Sequence, residues 1–329
     1  MRRRLRPARL MPGLVLTVVL APGTPAHAQI TPAQSAPAET TPTQSASAQS
    51  TSAHAASAQT AFAAYGAPAQ VAQAAPPAPI KRPVYLVHGV QWDGGTDCET
   101  SWQNAKGALR RQNFRGPLIT WGYYRDDRRC SVTYQGDVDT GIMELGRRLA
   151  WEIYTRHSRH GRPVGLLGHS MGGLIAAAAL VGVHKYGGRT RTWPPYLRVT
   201  DVVTLSTPFQ GVTCAAARLQ CHDLRAGSPF LRWLASYQNP QGRGGTDWTL
   251  IGAYDDTQVV PRSALGTAAR HKIVYLRGQR VTHTNVRYFA KGARWKFRYS
   301  HQWGKQVHQT AKGAAPLRAA ALALRGRAQ

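Results

Sequence analysis

From residue 83 onward, short runs rich in Val, Leu and Ile alternate with stretches whose apolar residues recur at helical spacing. PVYLVHG (83–89), GPLITWGYY (116–124), PVGLLGHS (163–170), VTDVVTLSTP (199–208), WTLIGAY (248–254) and HKIVYLRG (271–278) read as strands. Between them, residues 99–113 bring Trp102, Ala105, Leu109 and Arg110 near helical spacing. Residues 140–158 put Ile142, Leu145, Leu149 and Ile153 on one helical face, and MGGLIAAAALVGVHKYGG is a helix closed by glycines. A last helix is expected from Gln306 to Leu324, interrupted near Pro316. Near-continuous apolar strands separated by helices predict an α/β fold, a mostly parallel sheet with helices on both faces, because strands buried on both sides have no solvent face to make polar. Residues 209–247 are long for a simple crossover and include the helical-looking FLRWLASY. They are expected to form a lid or a static cap.

The first eighty residues follow neither pattern. Arg2, Arg3, Arg4, Arg6 and Arg9 precede the apolar run LMPGLVLTVVLAPG, and Ala26-His27-Ala28 supplies a small-residue cleavage site. Residues 1–28 therefore read as a secretory signal peptide. The run is short and broken by Pro12 and Pro22, which suits export better than spanning a bilayer. Residues 29–80 contain 18 Ala, many Gln, Ser, Thr and Pro, and the single charge Glu39. With few large apolar side chains the stretch cannot offset its ordering entropy, so a disordered linker is expected. No later segment approaches the ~18 consecutive apolar residues of a transmembrane helix. The mature protein is expected to be soluble and extracellular.

One folded domain, residues 81–329, is left. The 43% hydrophobic content is enough for a core. The formal net charge is +27; without the signal arginines and Glu39 the domain keeps 37 basic and 14 acidic residues, a net of +23. Such an excess points first to a polyanionic partner. No nucleic-acid motif accompanies it, and clusters such as Arg125-Asp126-Asp127-Arg128-Arg129 are partly neutralised, so a solvated basic surface is expected. The expectation is electrostatic association with anionic surfaces, no specific nucleic acid, and a monomer. Cys98, Cys130, Cys214 and Cys221 all fall in the domain. An even count behind a signal peptide predicts two disulfides. Three pairings are possible, and local spacing favours Cys98–Cys130 and Cys214–Cys221.

Candidate chemistry sits where strands end. Gly168-His169-Ser170-Met171-Gly172 matches G-x-S-x-G between a strand and a helix, the context a nucleophile elbow requires. Ser170 is the candidate nucleophile, with the helix N-terminus under the charge that develops on attack. His88-Gly89-Val90 ends the first strand, so the backbone N–H groups of Val90 and Met171 are candidate oxyanion donors. His88 is expected to brace that turn, and Gln91 offers a weaker side-chain contact. A serine needs a base and the base a carboxylate, in chain order Ser, Asp or Glu, His. After Asp247 the only acids are Asp255 and Asp256, and Asp256 is favoured. Of His271, His283, His301 and His308, His271 opens a strand at the wrong end of the sheet. His283 follows the strand KIVYLRG and is favoured as base over His301.

YLVHG, GHSMGG, LSTPFQG, YDDTQVVP and VTHTN, in this order across residues 84 to about 310, resemble the secreted bacterial α/β-hydrolases of the lipase/esterase type. The resemblance implies the α/β-hydrolase fold and hydrolysis of carboxylic esters, including triacylglycerols, through a Ser170–His283–Asp256 triad and an acyl-enzyme. It implies no cofactor and no metal for the chemistry; some such lipases carry a structural calcium, for which no matching site is legible here. Rival readings are an acyltransferase, amidase or polyester depolymerase on the same fold, or a basic protein binding a polyanion or cell-wall polymer with a hydrolase-like shell.

Overall fold

A computed structural model describes residues 78–237, 245–301 and 305–326. The expected signal peptide and nearly all of the expected linker lie outside these residues. The described chain joins the domain at Ile80, which bridges Phe114.

The elements are, in order, β1 (Val84–Val87), α1 (Cys98–Arg111), β2 (Leu118–Tyr124), β3 (Val132–Gly136), α2 (Ile142–Arg156), β4 (Val164–His169), α3 (Met171–Tyr186), β5 (Val199–Leu205), α4 (Leu219–Leu224), α5 (Pro229–Ala235), β6 (Asp247–Ala253), α6 (Pro261–Ala264), β7 (His271–Tyr275), β8 (Trp295–Ser300), β9 (His308–Gly313) and α7 (Pro316–Ala323). The strands form a sheet in the order β3-β2-β1-β4-β5-β6-β7-β8-β9. All neighbours from β3 to β7 pair parallel, and β8 and β9 extend the sheet antiparallel. The mostly parallel sheet is the one expected from the pattern, and the whole is the α/β-hydrolase fold that the resemblance implies.

Alternation along each strand divides the core in two. Tyr85, Val87, Leu166 and Val202 face α2 and α3, while Val84, Leu86, Leu167 and Val203 face α1 and α7. Residues of both sets are almost fully buried, which explains why the central strands read as unbroken apolar runs. α3 is buried around nearly all of its circumference, from Met171 to Val183, so small side chains let it sit against the sheet and α2 together.

The sequence pattern went astray at the sheet's ends. The helix expected from Gln306 begins only at Pro316; His308–Gly313 is instead β9, paired with β8. HQTAKG has no apolar face to signal a strand, and its pairing comes from the open edge of β8. β3 is likewise an edge strand, half exposed and bulged. β8 was legible in principle: Trp295, Phe297 and Tyr299 alternate with Lys296, Arg298 and Ser300, and only the first set joins the apolar core. Within 209–247, FLRWLASY is helical as expected, and Phe230, Leu231 and Leu234 bury against the α3 side of the core.

Both favoured cysteine pairings are present, Cys98–Cys130 and Cys214–Cys221. The first ties the start of α1 to the loop after β2, and the second ties the loop after β5 to α4. Among the described residues no helix is long and apolar enough to cross a membrane.

Candidate active site

The turn from β4 into α3 carries Ser170 at φ 53° and ψ −129°, left-handed backbone that an L side chain rarely adopts. The conformation is held from several sides. The Ser170 amide donates to Leu205 O at 2.9 Å, and Thr207 Oγ1 donates to Ser170 O at 3.0 Å. Gly172 is required on the next turn, because a Cβ there would run into the carbonyl oxygens of Val87 and His88. Gly89 faces the serine itself, and a Cβ on it would lie 2.9 Å from Ser170 Cβ. The sequence G-x-S-x-G and the glycine of HGV thus answer to one crowded junction.

His283 Nε2 lies 2.9 Å from Ser170 Oγ, and His283 Nδ1 lies 3.0 Å from Asp256 Oδ2. The Asp256 side chain is fully buried, and its Oδ1 accepts from the amides of Gln258 and Val259 at 3.0 and 2.8 Å. The two amides occupy Oδ1, which leaves Oδ2 facing the imidazole. The loop bearing His283 is set by Thr282 N donating to Asn285 Oδ1 at 2.7 Å and by Asn285 Nδ2 donating to Arg280 O at 2.7 Å. His169 Nε2 donates to the His283 carbonyl at 2.8 Å. Burial, reinforced by the neighbouring His283 and Arg287, pushes the His169 ring well below the usual histidine range.

The other candidates separate cleanly. Asp255 accepts from the amides of Gly278 and Arg280 at 3.1 and 2.7 Å, so it caps the loop after β7 and does not meet His283. His301 Nδ1 lies 2.8 Å from His271 Nδ1, and His271 Nε2 lies 3.2 Å from Asp247 Oδ2. His271 and Asp247 begin β7 and β6, so this cluster occupies the opposite edge of the sheet from Ser170. His308 begins β9.

Val90 and Ser170 line one cleft of about 270 Å³, with Trp92, Leu224 and His283 among its walls. Cys214 also lines it, which places the disulfide-tied loop after β5 on the rim. Met171, the other oxyanion candidate, is fully buried at the start of α3.

Beneath the Gly89–Val90 turn is a polar assembly that sequence reasoning missed. His88 is fully buried; its Nδ1 donates to Gly89 O at 2.8 Å and its Nε2 lies 3.0 Å from Asp127 Oδ2. Both ring nitrogens face acceptor oxygens. Asp127 also accepts from the amides of Thr96, Tyr123 and Tyr124. Burial works to raise its carboxyl, but the His88 contact and these amides hold it below the usual carboxylate range. Tyr123 Oη donates to His88 O and Gly89 O at 2.8 and 2.7 Å, and its ring stacks on His88 with centroids 4.2 Å apart. His88 therefore braces the turn, as expected. Asp127 does not belong to the solvated charge cluster expected of it, because its side chain is fully buried. The flanking arginines of RDDRR hid an acid whose partner lies 39 residues earlier.

Removing the buried carboxylate strands the groups that point at it, His88 and the amides of Thr96, Tyr123 and Tyr124. Asp127→Asn is expected to lower unfolding free energy by about 3–5 kcal/mol at neutral pH, read as a shifted urea midpoint at constant m. Because the folded carboxyl is held low, this stability is present above the unfolded carboxylate range and is lost as pH falls through the folded value. A mutant midpoint equal to wild type at pH 7 would show that the pair contributes no net stability.

The residues from β1 to the loop after β7, 84–278, match the model of a family described as "Putative serine esterase (DUF676)". The chain belongs to this serine esterase family. The match includes Ser170, Asp256 and the His88 turn and stops just short of His283. No curated protein matches the chain. Among solved structures, the mature lipase BlEst2 of Bacillus licheniformis is 18% identical, with 58% of this chain and 72% of that chain covered and a TM-score of 0.36. Aspergillus fumigatus lipase B is 18% identical, with 63% and 49% covered and a TM-score of 0.39, so the chain spans about half of that lipase. The lin2722 gene product of Listeria innocua is 16% identical, with 63% and 88% covered and a TM-score of 0.41. Among the described residues no group of three or more His, Cys, Asp or Glu side chains is arranged to hold a metal ion.

Proposed function

We propose that the chain is a secreted serine hydrolase that cleaves carboxylic esters, as a lipase or esterase, with Ser170 as nucleophile, His283 as base and Asp256 as its orienting carboxylate. The observation that carries this reading is the continuous hydrogen-bonded line from Ser170 Oγ through His283 to Asp256, at 2.9 and 3.0 Å. Ser170 Oγ attacks the ester carbonyl while His283 Nε2 takes its proton. The oxyanion that forms is met by the amides of Val90 and Met171 at the N-terminus of α3. His283 returns the proton to the leaving alcohol, and Asp256 holds the Nδ1–H tautomer and stabilises the charged ring. Water then repeats the sequence on the acyl-serine and releases the acid.

Export is part of the same proposal. The basic and apolar N-terminus followed by a small-residue site fits a signal peptide at 1–28, with 29–80 as a spacer and 81–329 as the catalytic domain. The two disulfides fit an oxidising compartment. Residues 238–244 of the expected lid or cap, 209–247, lie outside the described residues; in this reading its described part bounds the cleft through Val212, Thr213, Cys214 and Leu224, and the enzyme works as a monomer that meets anionic surfaces.

The test is a panel running from short-chain p-nitrophenyl esters to emulsified triacylglycerol, together with labelling by a fluorophosphonate. Hydrolysis of at least the short-chain esters is expected, with a single phosphonate adduct mapped to Ser170. No turnover across the panel, or an adduct on another residue, would refute the proposal.

A further inference from the structure

More than half of the chain's formal charge lies in its last stretch. Residues 257–329 hold 15 Lys and Arg and no Asp or Glu, against a net of +27 for the whole chain. The fold places part of this excess around a cavity of about 1100 Å³ beside the active-site cleft. Its walls include Arg262 on α6, Lys272 on β7 and Arg277 just beyond β7, with Gln210, Tyr254 and Thr257. Thr257 also lines the cleft that holds Ser170 and His283, so the loop carrying Asp256 is a shared wall.

Among the described residues the cavity's cations form no ion pair with a carboxylate of their own. Asp256 is the one acid in its wall, and its carboxylate is already taken by two amides and His283. The neighbouring Asp255 is spent on the amides of Gly278 and Arg280. Arg277 rests over the Tyr254 ring at 5.9 Å, a contact that orients the guanidinium and leaves its donors open. Arg262 is exposed. Lys272 is half-buried, donates to Leu265 O at 2.9 Å and keeps two further N–H groups. Burial pushes its ammonium below the usual lysine range, a cost that a bound anion would offset.

We propose that this cavity is a phosphate subsite that receives a phosphodiester carried by the ester substrate, with Arg262, Lys272 and Arg277 as its cations. Two guanidinium forks suit phosphate oxygens, which accept in pairs. Lys272 on β7 and Arg277 just beyond its end are spaced along the wall, and the cavity is far larger than one phosphate. The site therefore suits a phosphodiester within a longer molecule better than a free ion. Calling the ligand a substrate rests on the ester-hydrolase reading; phosphodiester binding does not.

The test uses the full chain as Ser170→Ala, so that binding is read without hydrolysis. Probes are glycerophosphoglycerol, inorganic phosphate, and vesicles of phosphatidylglycerol in phosphatidylcholine. Glycerophosphoglycerol is expected to bind more tightly than inorganic phosphate by calorimetry, with an affinity that falls as salt rises. Adding Arg262→Ala and Arg277→Ala is expected to weaken it at least about tenfold, and Lys272→Met severalfold. Adding Arg159→Ala and Arg189→Ala removes the same charge elsewhere and is expected to change affinity less than about twofold. Thermal midpoints of all variants report whether they fold. Binding to vesicles alone, lost with Arg262 and Arg277 but not with Arg159 and Arg189, would support the subsite and assign the phosphate to a lipid head group. Equal losses in both double variants would reduce the effect to net charge and overturn the proposal, as would no binding to any probe. Failure of ester hydrolysis would appear in the ester panel and leave these binding results intact.

Discussion

Ser170→Ala is expected to lower kcat for p-nitrophenyl ester hydrolysis by about 10⁴–10⁶-fold. The large effect follows from the division of labour at the elbow. In the proposed mechanism His283 and Asp256, hydrogen-bonded in line with Ser170, serve only to move the Ser170 proton, so without Oγ they would have nothing to activate. Alanine keeps the Cβ, so the left-handed backbone at φ 53° costs the same and the fold is retained. A thermal midpoint within a few degrees of wild type separates lost chemistry from lost structure. Ser170→Gly offers a second check, since glycine relieves the backbone strain; a midpoint at or above wild type is expected alongside the same loss of turnover. Activity within tenfold of wild type in the alanine variant would end the assignment of Ser170 as nucleophile.

The second large effect is a contrast between adjacent residues. Asp256→Asn is expected to reduce kcat by about 10⁴-fold with little change in KM. An amide facing His283 Nδ1 favours the wrong imidazole tautomer and no longer balances the charge that forms on the ring. Asp255→Asn is expected to leave kcat within a few-fold. That carboxylate accepts from two backbone amides of the 278–280 loop, so its loss costs stability, about 1–2 kcal/mol, and little chemistry. Steady-state kinetics and urea unfolding of both variants test the pair. A larger kinetic loss in Asp255→Asn would transfer the orienting role to the neighbouring residue.

The six strands read from apolar runs are all present as β1, β2, β4, β5, β6 and β7, because each is buried on both faces and composition alone reveals that. The elbow was legible for a related reason. Crowding between β1, β4 and α3 allows only glycine at positions such as Gly89 and Gly172, so geometry is written directly into residue type. The outer strands were not legible in the same way. β9 has no buried face worth a pattern, and its backbone pairs because β8 leaves an edge to pair with. Asp127 shows the same limit for charge. Its surroundings in sequence are arginines and its surroundings in space are amides and His88.

The division between chain and fold is therefore one of range. Local rules of burial period and of glycine at a crowded turn determined the parallel α/β architecture and the candidate serine, cysteine spacing favoured the two disulfides, and the hydrolase type came from the resemblance of the motifs. Asp256 was favoured over Asp255 by the family-like Val259-Val260-Pro261 that follows it, and His283 over His301 by its place after a strand; the folded sheet brings His283 and Asp256, and neither His301 nor Asp255, into line with Ser170. Parallel pairing brings the carboxyl ends of β4, β6 and β7 together and sends His271 and His301 to the opposite edge. Distances of about 3 Å between side chains 27 and 113 residues apart are products of that topology, which no local pattern encodes.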